Sequence, residues 1–125
     1  MEALKAAIGT LPGPTLIVSS ADLSHVGPAF GDQQALLGED QQVVQFRSGV
    51  VKHDQEMLGL VQQNKPSELI AAMAWQQNPT RWCSTGSLAA ALMAAEPSEV
   101  ELIDYAAAID AQGMAMVSSA AMVMR

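Results

Sequence analysis

The chain contains 125 residues, half of them hydrophobic but only five aromatic, and it carries a formal net charge of −7. Thirteen acidic residues outnumber six basic ones, and the lysines and arginines form no cluster. Because nucleic acids and anionic membrane surfaces require a basic face, this composition argues against both as partners. A chain of this length can bury one core, so we predict a single domain over residues 1–125.

The cysteine content and the apolar segments indicate the compartment. Cys83 is the only cysteine, which excludes an internal disulfide and is compatible with a reducing environment. No basic and then apolar leader is visible, and the apolar segment 114–124 is interrupted by two serines and too short to cross a bilayer. We therefore expect a cytoplasmic protein with no membrane partner.

The first third of the chain is predicted to form a helix, a strand and a loop. Helical spacing of apolar residues predicts a short helix over residues 1–8 that ends at Gly9. The apolar and β-branched run 15–20 is typical of a strand that is buried on both faces. A loop over 21–32 follows it, and only weak helical or irregular structure is expected for 31–42.

The rest of the chain alternates between helical and extended patterns. The predicted elements are helices at 48–63, 66–77 and 88–95, and strands at 100–105 and 113–124. The polar stretch 52–56 is predicted to be the solvated face of its helix, and 100–105 suits a strand at least as well as a helix. Because helices and strands alternate, we predict an α/β fold.

A polar loop directly after the predicted strand is the first candidate site. Asp22, Ser24 and His25 lie there, beside Gly27 and Pro28. Histidine changes charge near neutral pH and is the commonest metal ligand, and a carboxylate three residues earlier can orient the imidazole. Asp22 and His25 are therefore candidate catalytic residues. The alternative is an ordinary turn in which Asp22 caps the loop backbone.

Cys83 is the second candidate. It lies in a loop rich in Ser, Thr and Gly before a predicted helix, whose positive end favours the thiolate, the form that binds metals. The alternative is a small buried hydrophobic residue beside Trp82. His53 is expected to be an ordinary surface residue. An iron site of two histidines and one carboxylate would have to combine His25, His53 and Asp22.

Residues 19–32, with the sequence SSADLSHVGPAFGD, resemble the strand-and-loop motif of the Memo family. The bacterial and archaeal members of that family are called AmmeMemoRadiSam system protein B. Weaker similarities follow at 53–54, 78–83 and 102–105 and in the closing strand of small residues. The resemblance spans nearly the whole chain, and the first motif is the specific one.

This resemblance implies a fold related to the class III extradiol (LigB-type) dioxygenases, an α/β/α sandwich with a cleft at one end of the sheet. The family's cleft is lined by two histidines from the N-terminal half, by the Asp and His of this motif and by a cysteine. Asp22 and His25 match the motif and Cys83 matches the cysteine, so the resemblance implies that these three residues bind a metal. Iron or copper and redox chemistry are implied.

The resemblance covers only the C-terminal half of the family fold, because a full member is about twice as long. The histidines of the N-terminal half have no counterpart here, so Asp22, His25 and Cys83 give at most three ligands of an incomplete site. Half of such a sheet exposes a strand edge and an apolar face. The chain is a fragment, a naturally short protein, or a protein whose missing half comes from another polypeptide. We expect a homo-oligomer or a partner chain that supplies the missing half, with 15–20 and the apolar tail near the covered surface.

Three functions are compatible with these residues. The first is a Memo-like metal-binding or redox cleft domain built around Asp22, His25 and Cys83. The second is a subunit of a class III extradiol dioxygenase-like enzyme, in which His25 acts as an acid–base group. The third is a non-catalytic interaction or assembly module that retains the fold. The family resemblance places the first ahead of the others, and no substrate is indicated.

Overall fold

The computed structural model describes all residues from Met1 to Arg125. Its elements are α1 (Glu2–Gly9), β1 (His25–Val26), a 3-10 helix (Pro28–Phe30), α2 (Gln41–Gln62), α3 (Pro66–Trp75), α4 (Thr85–Ala95), β2 (Val100–Ile109) and β3 (Met116–Met124). None of the helices has the length and hydrophobicity that a membrane crossing requires. The mixture of helices and strands confirms the predicted α/β class.

The three strands form an antiparallel sheet in the order β1-β3-β2. β2 and β3 make a long hairpin in which Val100 lies opposite Met124 and Ile109 opposite Met116, with an irregularity near residue 103. Asp110 begins the hairpin turn, and its Oδ1 accepts hydrogen bonds from the backbone N–H groups of residues 114 and 115. This local capping is the usual role of Asp in a turn and fixes the register of the hairpin.

The core lies between one face of this sheet and the helices. Alternate residues of β3 face the helices, from Met116 to Met124, and the residues between them are more exposed. The larger core cluster comprises Leu23, Met57, Leu58, Val61, Leu69, Met73, Trp82, Leu88, Leu92 and Val100. On the other face of the sheet, Ile103 and Val123 are 55% and 39% exposed. Helices therefore cover one face of the sheet, as in one part of an α/β/α sandwich.

Most predicted elements are present, although several are longer or shorter than their patterns indicated. α2 begins at Gln41 rather than Ser48, because buried Val43 extends the apolar stripe toward the N-terminus. β2 continues to Ile109 through small residues that pair with β3, so the hairpin extends it beyond the predicted end. Pro66 starts α3, as expected for a residue whose missing N–H costs nothing in the first turn.

The predicted strand at 15–20 is wrong. Leu16 and Val18 are 86% and 72% exposed, and residues 12–22 make no backbone–backbone hydrogen bond. Pairing with β3 starts only at Leu23, so the β-branched segment has the composition of a strand without a neighbour to pair with. Instead it borders a groove of about 260 Å³. The groove is lined by residues 16–19, Ala21, Leu23, Val61, Leu88, Leu92, Val100, Ala120 and residues 122–124.

The predicted solvated face at 52–56 is also wrong in part. Asp54 is fully buried, because it is spaced by four residues from buried Val50 and from buried Leu58 on the same side of α2. His53 is half-buried rather than an ordinary surface residue, and its ring lies edge-on to Trp82 at a centroid distance of 6.5 Å.

Candidate functional site

Backbone hydrogen bonds fix residues 23–25 between β3 and the segment that precedes α4. The Leu23 N–H donates to the Ser118 carbonyl at 2.8 Å, and the Ser118 N–H donates to the Ser24 carbonyl at 3.1 Å. On the other side, the His25 N–H donates to the Thr80 carbonyl at 2.8 Å. The loop is therefore held on both sides by parts of the chain that are far away in sequence.

The His25 side chain has a fixed orientation. Its Nδ1 lies 3.1 Å from the carbonyl oxygen of Leu23 and 3.2 Å from that of Arg81. Carbonyls only accept hydrogen bonds, so Nδ1 carries the proton, and in the neutral ring Nε2 keeps its lone pair. Phe30 packs edge-on against the ring at a centroid distance of 5.5 Å. The ring is thus positioned to use Nε2 as a ligand or as a base.

Asp22 lies near this ring, and Cys83 contacts the backbone of Asp22. An Asp22 carboxylate oxygen lies 3.8 Å from His25 Nε2, and 58% of the Asp22 side chain is exposed. The exposed Cys83 thiol donates to the backbone carbonyl of Asp22, with the sulfur and oxygen 3.2 Å apart. Cys83 is therefore not the buried hydrophobic residue of the alternative interpretation, and its sulfur lies beside the backbone of the loop that carries Asp22.

The three predicted residues are neighbours, but their side chains do not meet at one point. No three side chains of His, Cys, Asp or Glu are placed so that they could hold one metal ion. In particular, His53 does not join His25 and Asp22 in such a group, since its ring packs on Trp82.

An ion pair that the sequence interpretation did not single out supports the loop. The Arg81 guanidinium donates to both carboxylate oxygens of Asp32, at 2.7 and 3.0 Å, and also to the His25 carbonyl at 3.2 Å. The hydrogen bonds from Arg81 hold the pKa of the Asp32 carboxyl below its ordinary value. The Gly27 N–H, which also donates to this carboxylate, lowers the pKa as well. Arg81 has a φ of 57°, a conformation that non-glycine residues rarely adopt. The ion pair anchors the chain at Arg81, and the backbone carbonyl of Arg81 orients the His25 ring.

A buried carboxylate lies beneath the loop. Asp54 Oδ1 accepts hydrogen bonds from Ser24 Oγ at 2.5 Å and from Trp82 Nε1 at 2.6 Å. Its Oδ2 accepts from Tyr105 Oη at 2.7 Å and from Ser118 Oγ at 2.5 Å. Burial, together with the hydrogen bond to this carboxylate, raises the pKa of the Tyr105 hydroxyl, which therefore stays protonated and donates. The four donors satisfy the carboxylate without a cation.

Sequence reasoning missed Asp32, Asp54 and Arg81 as parts of the site, but each left some signal. Asp32 lies inside the motif at 19–32, and Arg81 lies in the segment 78–83 that resembles the same family. Asp54 occupies a position of the helical pattern where an apolar residue is expected, and a polar residue on an apolar stripe calls for a buried partner.

The family model described as Memo-like protein matches residues 2–123, nearly the entire chain. No curated protein and no solved structure matches it. Because the family match covers both the His25 loop and the Cys83 segment, the chain belongs to the Memo-like protein family.

Proposed function

We propose that this Memo-like chain supplies part of a metal site in which His25 Nε2 and the Asp22 carboxylate are ligands. The Cys83 thiolate is the third proposed ligand, and its side chain must turn away from the Asp22 carbonyl to join the other two. The observation that carries the proposal is the orientation of the His25 ring. Two carbonyls bind its Nδ1–H, and its free nitrogen lies 3.8 Å from a carboxylate that solvent can reach.

The spacing of His25 Nε2 and the Asp22 carboxylate is compatible with one metal ion between them. Two ligands with bonds of about 2.0–2.2 Å can lie up to about 4.2 Å apart, so 3.8 Å between Nε2 and the Asp22 oxygen allows one ion between them. Cys83 is exposed and touches the Asp22 backbone, so a soft sulfur donor is available next to the residue that carries one of the harder ligands. This mixture suits iron or copper, which would supply redox chemistry when bound. Within the chain, the carbonyls of Leu23 and Arg81 hold the proton at His25 Nδ1 and leave Nε2 free beside the Asp22 carboxylate.

The proposed site needs further ligands, and another chain is their proposed source. We propose that the protein corresponds to the C-terminal half of the family fold and acts as a homo-oligomer or with a chain that supplies the other half. The exposed segment 15–20 supports this, because Leu16 and Val18 face solvent and its backbone groups are unpaired. Proteins usually cover such apolar, unpaired segments.

Metal titration tests the ligand assignment. The purified protein is titrated with Cu²⁺, and anaerobically with Fe²⁺, and bound metal is measured by elemental analysis and by electron paramagnetic resonance for copper. We expect His25→Ala to lose binding, Asp22→Asn to weaken it, and Cys83→Ala to remove sulfur-to-metal charge-transfer absorption. His53→Gln is the matched control and should bind as the wild type does. Unchanged metal content in both His25→Ala and Cys83→Ala would refute the site.

Sedimentation tests the association. Analytical ultracentrifugation over a concentration series should show association of the wild-type protein, alone or with the chain that supplies the missing half. The double substitution of Leu16 and Val18 by Ser should weaken it, whereas substitution of exposed Trp75, on α3, by Ser should not. A monomer at every concentration, with no complex in the presence of the second chain, would contradict the proposal.

A further inference from the structure

Asp54 connects the two segments that form the candidate site. Its Oδ1 accepts from Ser24, in the loop of the candidate ligands, and from Trp82, in the segment that carries the cysteine. Its Oδ2 accepts from Tyr105 on β2 and Ser118 on β3. One oxygen therefore holds the site segments, and the other attaches them to the sheet.

The residues held by Oδ1 are next to those that orient the His25 ring. Ser24 directly follows Leu23, and Trp82 directly follows Arg81. The carbonyls of Leu23 and Arg81 are the two acceptors of the Nδ1 proton. A shift of either segment would move one of these carbonyls away from the ring, and the proton could then occupy either nitrogen.

The four contacts differ in how they respond to a change of the carboxylate. The hydroxyl groups of Ser24, Ser118 and Tyr105 can rotate and accept a hydrogen bond instead of donating one. Trp82 Nε1 can only donate. An asparagine can therefore keep an oxygen toward Ser24 and Trp82 and turn its amide nitrogen toward the two hydroxyls on the sheet.

We propose that Asp54 is a positioning residue for His25: by holding Ser24 and Trp82, it places the carbonyls that keep the proton on Nδ1 and leave Nε2 free. This proposal deepens the proposed function and rests on it for the use of Nε2 as a ligand. Asp54 is 0% exposed, so it acts on the site through the chain rather than by contact with a ligand. Outer hydrogen-bonding residues of this kind commonly change metal affinity by about 10–100-fold.

Nuclear magnetic resonance of the metal-free protein tests the proposal. With nitrogen-15 in the imidazoles and at alkaline pH, the spectrum reports which His25 nitrogen carries the proton, and His53→Gln assigns the signals. The wild type should show the Nδ1–H form. Asp54→Ala should shift His25 to the mixture of Nδ1–H and Nε2–H tautomers that the same protein shows in denaturant. Asp54→Asn should keep the Nδ1–H tautomer of the wild type. That rescue separates positioning from a general effect of substituting a buried residue.

A second pair of variants tests the same point if Asp54→Ala does not fold. Ser24→Ala removes a contact to Oδ1 in the site loop, and Tyr105→Phe removes a contact to Oδ2 on the sheet. We expect Ser24→Ala to shift the His25 tautomer and lower Cu²⁺ affinity by about 10-fold or more, and Tyr105→Phe to change neither. A wild-type tautomer in Ser24→Ala, or an equal shift in both variants, would overturn the proposal. A tautomer shift in a protein that binds no Cu²⁺ would support positioning and refute the metal site.

Discussion

Replacing Asp54 with alanine removes the acceptor that four donors share. Trp82 Nε1 and the hydroxyls of Ser24, Tyr105 and Ser118 all donate to this carboxylate. After the substitution, Ser24 can still reach the Thr80 hydroxyl 2.7 Å away, whereas the indole N–H loses the carboxylate to which it donates.

The expected destabilisation follows from these partners. An unsatisfied buried donor costs about 1–3 kcal/mol, and the shortened side chain also leaves a small cavity. The desolvation cost of the carboxylate is relieved at the same time, so the separate losses do not simply add. By comparison with other broken buried polar networks, we expect Asp54→Ala to lower the free energy of unfolding by about 3–5 kcal/mol. Asp54→Asn keeps the contact to Trp82 and should cost only about 1–2 kcal/mol.

Urea unfolding followed by tryptophan fluorescence and by far-UV circular dichroism measures both values. The two probes should coincide, and the slope with denaturant should stay constant among the variants, so that midpoints report stability. A loss below about 1 kcal/mol for Asp54→Ala would show that the indole finds another partner. An equal loss for Ala and Asn would show that the direction of the hydrogen bonds is unimportant, and our account of this cluster would then be wrong.

Two further predictions concern the loop around the site. In the folded protein, the pKa of the Asp32 carboxyl lies below its ordinary value of 3.8. The ion pair of Asp32 with Arg81 therefore stabilises the fold above about pH 4. This stabilisation is lost as the pH falls through the lower pKa of the folded state. Asp32→Asn should therefore show a shallower loss of thermal stability between neutral and acid pH, whereas parallel profiles would contradict this role. Gly27 has a φ of 114°, and a Cβ there would lie 2.7 Å from a backbone carbonyl oxygen, so Gly27→Ala should cost at least about 2 kcal/mol. Gly49 lies inside α2 with open space around it, and Gly49→Ala should stabilise the protein by about 0.5–1 kcal/mol in the same denaturation experiment. A loss of stability would contradict this prediction.

The elements with their own local signal were predictable from the sequence. α3 has Pro66 at its first position and α4 has a run of good helix formers, and both lie close to the predicted bounds. The segment 15–20 was not predictable in the same way. Its composition indicates a strand, but a strand forms only when a neighbour accepts its backbone hydrogen bonds, and composition does not identify the neighbour.

The candidate site was predictable only in its outer parts. Asp22 and His25 were candidates because they follow an apolar run in a loop, and Cys83 was connected to them by family resemblance. Asp54 was assigned to the surface because its neighbours in sequence are charged. Its spacing of four from Val50 and Leu58 gave the better signal, since position on the helix decides burial more than the adjacent residues do.

The charges around His25 leave one carboxylate available to a cation. Asp54 accepts four hydrogen bonds and is fully buried, and Asp32 is occupied by the Arg81 guanidinium and the Gly27 N–H. Asp22 is exposed, and its oxygen lies near the imidazole nitrogen that the fixed tautomer leaves without a proton. The Asp54 and Asp32 carboxylates thus hold the geometry, and their saturation leaves Asp22 as the carboxylate that the proposed metal site would use. Supplying Asp22 with a cation of its own, for example by Ser20→Lys, should therefore compete with the metal more strongly than adding a lysine on the exposed face of α3.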